Sequence, residues 1–270
     1  MDSATLPSKA ILRQKIKQTE SDFITYCCII MNNKLLIADF NSNGLIVQNM
    51  DGTRENRFNL SSKPFNLTVI DKEHVGITYS DNNVSTDRIA ILNTITKEEE
   101  KFGKCTLTPE GIACYNDDVY VLSMDNRLEV MRKEGNIVRT ISLPNIKRVS
   151  TLIIEDGKLF IGEPMFHARG SVTPSINCLD LDGKLIWEFN DDEGEISNPF
   201  SMALDGKGNV YVCDVYAHIV VVISSDGKHY RKLLSEVDGM QSPIGVMWDK
   251  QTDCLLVCNE NGEIFFYDIE

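Results

Sequence analysis

Short apolar runs recur along this chain, each broken off by a polar turn carrying Gly, Asn or Asp. The clearest group lies between residues 197 and 234. Met202 and Leu204 open one run, which Asp205-Gly206-Lys207-Gly208 turns back. Val210 to Cys213 is a second run, stopped by Asp214. Ile219 to Ile223 is a third, and Asp226-Gly227 turns into a fourth at Tyr230 to Leu234. Length and turn chemistry mark all four as β-strands. Four short strands in one meander bury too little surface to fold alone, so the unit has to stack against copies of itself.

The copies recur at a fixed interval. Pro243 stands 44 residues after Pro199, Pro109 stands 90 before it, and Pro64 a further 45 before that. Each opens a short apolar run. Acid–glycine turns keep step at Asp51-Gly52, Glu134-Gly135, Asp182-Gly183 and Asp226-Gly227. A mid-forties period with four strands per unit is the signature of a β-propeller. At about 45 residues per blade, the 270 residues make six blades. The expected fold class is all-β, a six-bladed β-propeller with four antiparallel strands per blade. Ile11 to Lys17 reads as a strand with no meander of its own. The last blade (Ile244 to Trp248, Leu255 to Cys258, Ile264 to Tyr267) lacks its outer strand. The N-terminal strand is expected to supply it, which closes the ring and removes two exposed edges. Residues 1–10 are expected to be a flexible tail and residues 11–270 a single propeller.

Charge and cysteine usage narrow the function classes. A formal net charge of −13 at pH 7 repels phosphate backbones, so nucleic acid is not the expected partner. Of eight cysteines, only Cys27-Cys28 and the pair Cys254 and Cys258 are close, and neither has zinc spacing. Thiols inside apolar strand runs read as buried and reduced, as in a cytoplasmic protein. The first ten residues hold no apolar signal core, and Tyr26 to Met31 and Ile219 to Ile223 are too short to span a bilayer. A monomer without membrane contact or cofactor is expected.

In such a meander, loops entering the first strand and loops joining the second to the third emerge on one face, the upper face. The second-to-third loops begin at Asp39, Tyr79, Ser123, Glu163, Asp214 and Asn259. The insertion from Glu163 to Pro174 carries Met165, Phe166, His167 and Arg169. Loops on a rigid scaffold carry binding, so this insertion is the leading contact surface. Lys147 and Arg148 on a neighbouring loop extend it, with Phe40 and Tyr216 on the same face. The basic residues suit an acidic peptide or a phosphate, or else pair with the acidic loop Asn190 to Glu195. The expected partner-binding set is Phe40, Lys147, Arg148, Phe166, His167, Arg169 and Tyr216.

The chain holds no GxSxG turn, no HExxH and no phosphate-cradling GxxxxGK[ST]. His74, His167, His218 and His229 fall at different blade positions and cannot share a site. Asp39, Glu163, Asp214 and Asn259 end equivalent strands near the axis. Together they could supply oxygens to calcium; separately each could hydrogen-bond the turn that follows it. With no catalytic motif, the chain is expected not to be an enzyme.

One resemblance rests on named residues. Pro199-Phe200-Ser201-Met202-Ala203-Leu204-Asp205, then Gly208-Asn209-Val210-Tyr211-Val212-Cys213-Asp214, then His218-Ile219-Val220-Val221, resembles an NHL repeat. The last blade follows in part through Pro243, Gly245, Val257, Asn259 and Ile264. Tyr79 and Glu163 stand where the pattern has Asp. The chain is thus similar to the six-bladed NHL propeller at the C-terminus of tripartite-motif ubiquitin ligases. That resemblance implies recognition of protein partners, or of RNA through a basic upper face. It implies no ligase chemistry in this stretch, because the RING, B-box and coiled coil have no counterpart in it. A further alternative is a calcium-dependent hydrolase or lyase of the gluconolactonase kind.

Overall fold

The computed structural model describes residues 6–18, 23–30, 33–80, 88–103, 108–143, 146, 149–165, 173–191 and 194–270. Its strands form six four-stranded antiparallel sheets. The inner strands are Ile24–Ile30, Pro64–Val69, Pro109–Tyr115, Thr151–Glu155, Pro199–Leu204 and Pro243–Asp249. Each packs against the next, and the sixth against the first, so the sheets close a ring of six blades. A short 3₁₀ turn at Glu236–Asp238 stands among the strands. Among the described residues no helix is long and apolar enough to cross a membrane.

The closure joins the two ends of the chain. Ala10–Lys17 pairs antiparallel with Glu263–Ile269 and becomes the outer strand of the sixth blade. Gln18 N donates to Gly262 O at 2.8 Å. Within the stretch expected to be flexible, Ser8 N donates to Glu270 O at 2.7 Å, and Glu270 N to Lys9 O at 3.0 Å. Ile16 is the strand's apolar anchor, in a core cluster with Ile46 of blade one and Ile264 of blade six.

Four of the six inner strands begin at a proline, up to three residues earlier than the apolar runs alone suggest. Proline has no N–H to give the ladder, so a strand accepts it as its first residue. In each of the four, a bulge follows the proline at once. Compact polar residues stand near the start of the inner strands, and four of them stitch blades together. Thr25 Oγ1 donates to Pro64 O at 2.9 Å and Asn66 Nδ2 to Glu110 O at 2.8 Å. Ser150 Oγ donates to Pro199 O, and Ser201 Oγ accepts from Val246 N at 3.2 Å. Gly245 is glycine for space: a Cβ there would lie 2.7 Å from Cys27 Sγ of the next blade.

The repeated acid–glycine turn has a related cause. Gly52, Gly135, Gly183 and Gly227 all have positive φ, between 73° and 91°. The preceding blade's outer strand also lies against several of these turns. A Cβ on Gly183 would come within 2.6 Å of Ile141, and one on Gly227 within 2.6 Å of Trp187. The turn is therefore a docking notch for the neighbouring blade as well as a reversal.

A chain starting at residue 19 loses the outer strand of blade six and the Ile16 anchor. The expected cost is several kcal/mol against a typical stability of about 5–15 kcal/mol. Thermal unfolding followed by circular dichroism checks this, and an unchanged Tm would show that the ring does not depend on its N-terminal strand.

Candidate functional site

The carboxylates and amide that could have met at the axis are consumed inside their own blades. Asp214 is buried and accepts from Ser197 N and Asn198 N, both at 2.6 Å, from Tyr216 N at 3.0 Å and from Ala217 N at 2.8 Å. It thus clamps the loop entering blade five to the turn leaving its second strand. Asp39 is held by Ser42 Oγ and by Arg57 Nη2 at 3.1 Å. Glu163 accepts from Ser175 Oγ and Asn177 Nδ2, both at 3.0 Å. Asn259 accepts from Gln241 N at 3.2 Å and donates to Gly239 O at 2.9 Å. Hydrogen bonding within each blade accounts for all four. Among the described residues no cluster of three or more His, Cys, Asp and Glu side chains is disposed to hold a metal.

Of the expected partner-binding set, Lys147, Arg148, Phe166, His167 and Arg169 lie outside the described residues. Phe40 is half-buried against Phe23, with ring centroids 5.4 Å apart, and Lys63 Nζ sits 4.7 Å from the Phe40 ring centre. Tyr216 is 74% exposed, on the turn that Asp214 holds. Met124, Met165 and Val237 are exposed on the same face; the sequence had marked Met165, in the insertion from Glu163 to Pro174, but neither Met124 nor Val237.

The axis itself is closed above and open below. Phe65 of blade two and Phe200 of blade five directly follow their prolines. Blades two and five are opposite in a six-membered ring, and these two rings meet edge-on with centroids 6.3 Å apart. Beneath them is a cavity of about 220 Å³ lined by all six inner strands. A larger groove of about 590 Å³ shares Trp248 and Lys250 with it. Lys250 Nζ of blade six forms an ion pair with Glu155 of blade four across the lower mouth. Five clefts of the described residues all include first-to-second-strand turns, which belong to the lower face. Sequence reasoning looked to the upper face and missed this end. Phe65 and Phe200 are visible as the residue after a blade-opening proline, whereas nothing in the repeat marks Trp248.

The titratable groups report dry surroundings. The seven described cysteines are free thiols. Burial pushes Cys28 up to about 12, and Cys114 and Cys178 up to about 11, from an ordinary 9.0. Burial also raises the phenols of Tyr26, Tyr79, Tyr211 and Tyr267 above 10.0.

No protein-family model matches the chain, and no curated protein matches its sequence. Solved structures match along nearly its whole length. Virginiamycin B lyase from Staphylococcus aureus is 16% identical, with 95% of this chain and 99% of that one covered and a TM-score of 0.68. A streptogramin B lyase is 12% identical, with 95% and 97% covered and a TM-score of 0.68. Kuenenia stuttgartiensis hydrazine synthase is 12% identical, with 92% and 96% covered and a TM-score of 0.67. At such identities the likeness shows the fold, and the fold is the six-bladed β-propeller. It corrects one expectation. The inference that this chain is not an enzyme rested on missing contiguous motifs, yet propellers of this shape are named as enzymes. The physical reason is that a propeller builds its sites from single residues on separate blades, where no short motif would appear.

Replacing Asp214 by Ala strands four backbone N–H donors and is expected to cost about 3 kcal/mol. Replacing Asp182, whose side chain is 80% exposed, serves as the control with nearly unchanged Tm. Equal unfolding of the two variants in urea would refute the clamp. A second expectation concerns alkali. A buried thiol favours the folded state fully below its unfolded value near 9.0, and that contribution drains away as pH climbs to about 11 or 12. Calorimetric Tm should therefore hold level from pH 7 to near 9.0 and then fall. A Tm that stays level up to pH 11 would contradict this.

Proposed function

We propose that this chain is a docking propeller that recognises a protein partner through its upper face, as its likeness to the NHL propellers of tripartite-motif ligases implies. One observation supports this above the rest. Met124, Met165, Tyr216 and Val237 are 55%, 37%, 74% and 93% exposed and sit on successive upper-face loops of blades three to six. Single exposed apolar residues are ordinary, but a series on one face of a rigid scaffold has the character of a contact surface.

The loops that present them are pinned. The Tyr216 turn hangs on Asp214, and Met165 N donates to Ser197 O at 2.7 Å. Val237 sits in the 3₁₀ turn, whose first residues are tied by Ser235 and Asp238. Held so, the side chains lose little freedom on binding, which lowers the entropic cost of association. Glu236 and Glu260 flank the series, and the chain carries −13 overall. The partner that fits presents apolar side chains bordered by Lys or Arg.

The test is affinity capture with the purified chain and with a variant carrying Met124→Ser, Met165→Ser, Tyr216→Ser and Val237→Ser together. Proteins held by the first and released by the second, at equal Tm, support the proposal. Equal capture by both would remove this surface from consideration, and captured RNA in place of protein would do the same.

A further inference from the structure

We infer that the cleft between blades one and two, at the lower rim, is a docking site for a tryptophan side chain of a protein partner. It lies away from the upper-face surface proposed above and stands independently of it.

The chain itself supplies the template. Among the described residues, four seams of the ring are bridged by a side chain of one blade's outer strand that donates to a backbone carbonyl beside the next blade. Arg139 Nη2 donates to Leu181 O at 2.9 Å across seam three–four, and Trp187 Nε1 to Ser225 O at 3.1 Å across seam four–five. Arg231 Nη1 donates to Pro7 O at 3.2 Å, on the segment that joins blade six. Gln14 Nε2 donates to Met50 O at 3.0 Å across seam six–one. Gln14, Arg139 and Trp187 each stand directly after the bulge of their outer strand. Met50, Leu181 and Ser225 each stand two residues before the glycine of an acid–glycine turn.

The seam from blade one to blade two breaks this pattern. The residue after the bulge is Asn56, and no hydrogen bond joins its side chain to the facing turn among the described residues. That turn carries Ile95, 69% exposed, in place of an acid–glycine pair. A cleft of about 190 Å³ remains, lined by Asn56, Thr94 and Ile95, with Ile30, Phe58 and Val69 among its apolar walls.

The lining selects the occupant. Arg139 also pairs with Asp182 of its turn, an acid that the turn of blade two lacks. The acids on the lining already have partners: Glu55 pairs with Lys34, Glu73 with Lys72, and Asp71 is hydrogen-bonded to His74. A guanidinium would therefore enter without a counter-ion. An indole brings an apolar body and a single N–H, the combination that Trp187 presents to Ser225. A cavity of about 150 Å³ already admits benzene, so the cleft has room for the ring. Aromatic anchors seated in such pockets carry much of the energy of a protein–protein contact.

The experiment titrates the whole chain into a capped Gly-Trp-Gly peptide carrying fluorotryptophan, read by fluorine NMR. Wild type is expected to bind with a Kd below about 1 mM. The same peptide with Phe for Trp should compete about fivefold less well, because one hydrogen bond is lost. Asn56→Trp fills the cleft from blade one, as Trp187 fills its own seam, and should abolish binding at a Tm no lower than wild type. Ile95→Asp changes an exposed rim residue and should weaken binding about threefold or more at unchanged Tm, as apolar contact is lost. It keeps the experiment decisive even if Asn56→Trp misfolds. No binding by wild type, or binding that neither variant alters, would overturn the inference.

Discussion

The structure depends on one pairing above all others, that of Ala10–Lys17 with Glu263–Ile269. Every other sheet is a local meander whose strands are close in the chain. This one joins residues as distant as Arg13 and Asp268, which form an ion pair 255 positions apart. Its entropic cost is that of closing the whole chain into a loop, which grows only slowly with length. Its return is collective. Once the sixth sheet has its outer strand, no blade is terminal, and each inner strand has a neighbour on both sides. Local meanders can therefore begin pairing early, while stacking on their neighbours and the closure commit them to one ring.

The ring then imposes a second constraint, space at the axis. Six backbones converge at the upper end, and the chain answers with proline-led strands, bulges and compact side chains. Thr25, Asn66, Ser150 and Ser201 each join a carbonyl or amide of the adjacent blade. These polar stitches satisfy groups that the crowded axis would otherwise strand, and they set the rotation of one blade against the next. The acid–glycine turns do the same at the rim, where the positive-φ glycine leaves room for Ile141 or Trp187 of the preceding blade.

Much of this is legible in the sequence, for a physical reason. Period, turn residues and strand length are local properties, so blade number, strand order and the orphan strand's destination can be read from spacing. The roles of single residues depend on what the ring brings near them. Asp214 ends a strand in the same way whether it holds a cation or four amides, and only the position of Ser197 and Asn198 decides. Phe65 and Phe200 stand 135 residues apart and meet because their blades are opposite. Trp248 resembles any other core aromatic until the stacked Tyr211 and the cavity beside it are known. For the same reason, missing contiguous motifs say little about catalysis in a fold that assembles sites from six separate strands.

The two ends of the axis are built for different mechanical tasks. Above, bulges, inter-blade hydrogen bonds and the Asp214 clamp make a stiff platform, on which exposed side chains such as Tyr216 hold one geometry. Below, the inner strands end in short turns, and the contact spanning the mouth is a solvent-screened ion pair between Glu155 and Lys250. A stiff surface suits a large partner, because binding energy is not spent on ordering the scaffold. At the lower mouth the exposed ion pair adds little to a ring that six packed sheets already hold. The upper face keeps its shape because the stitches that set one blade against the next lie at its end of the axis.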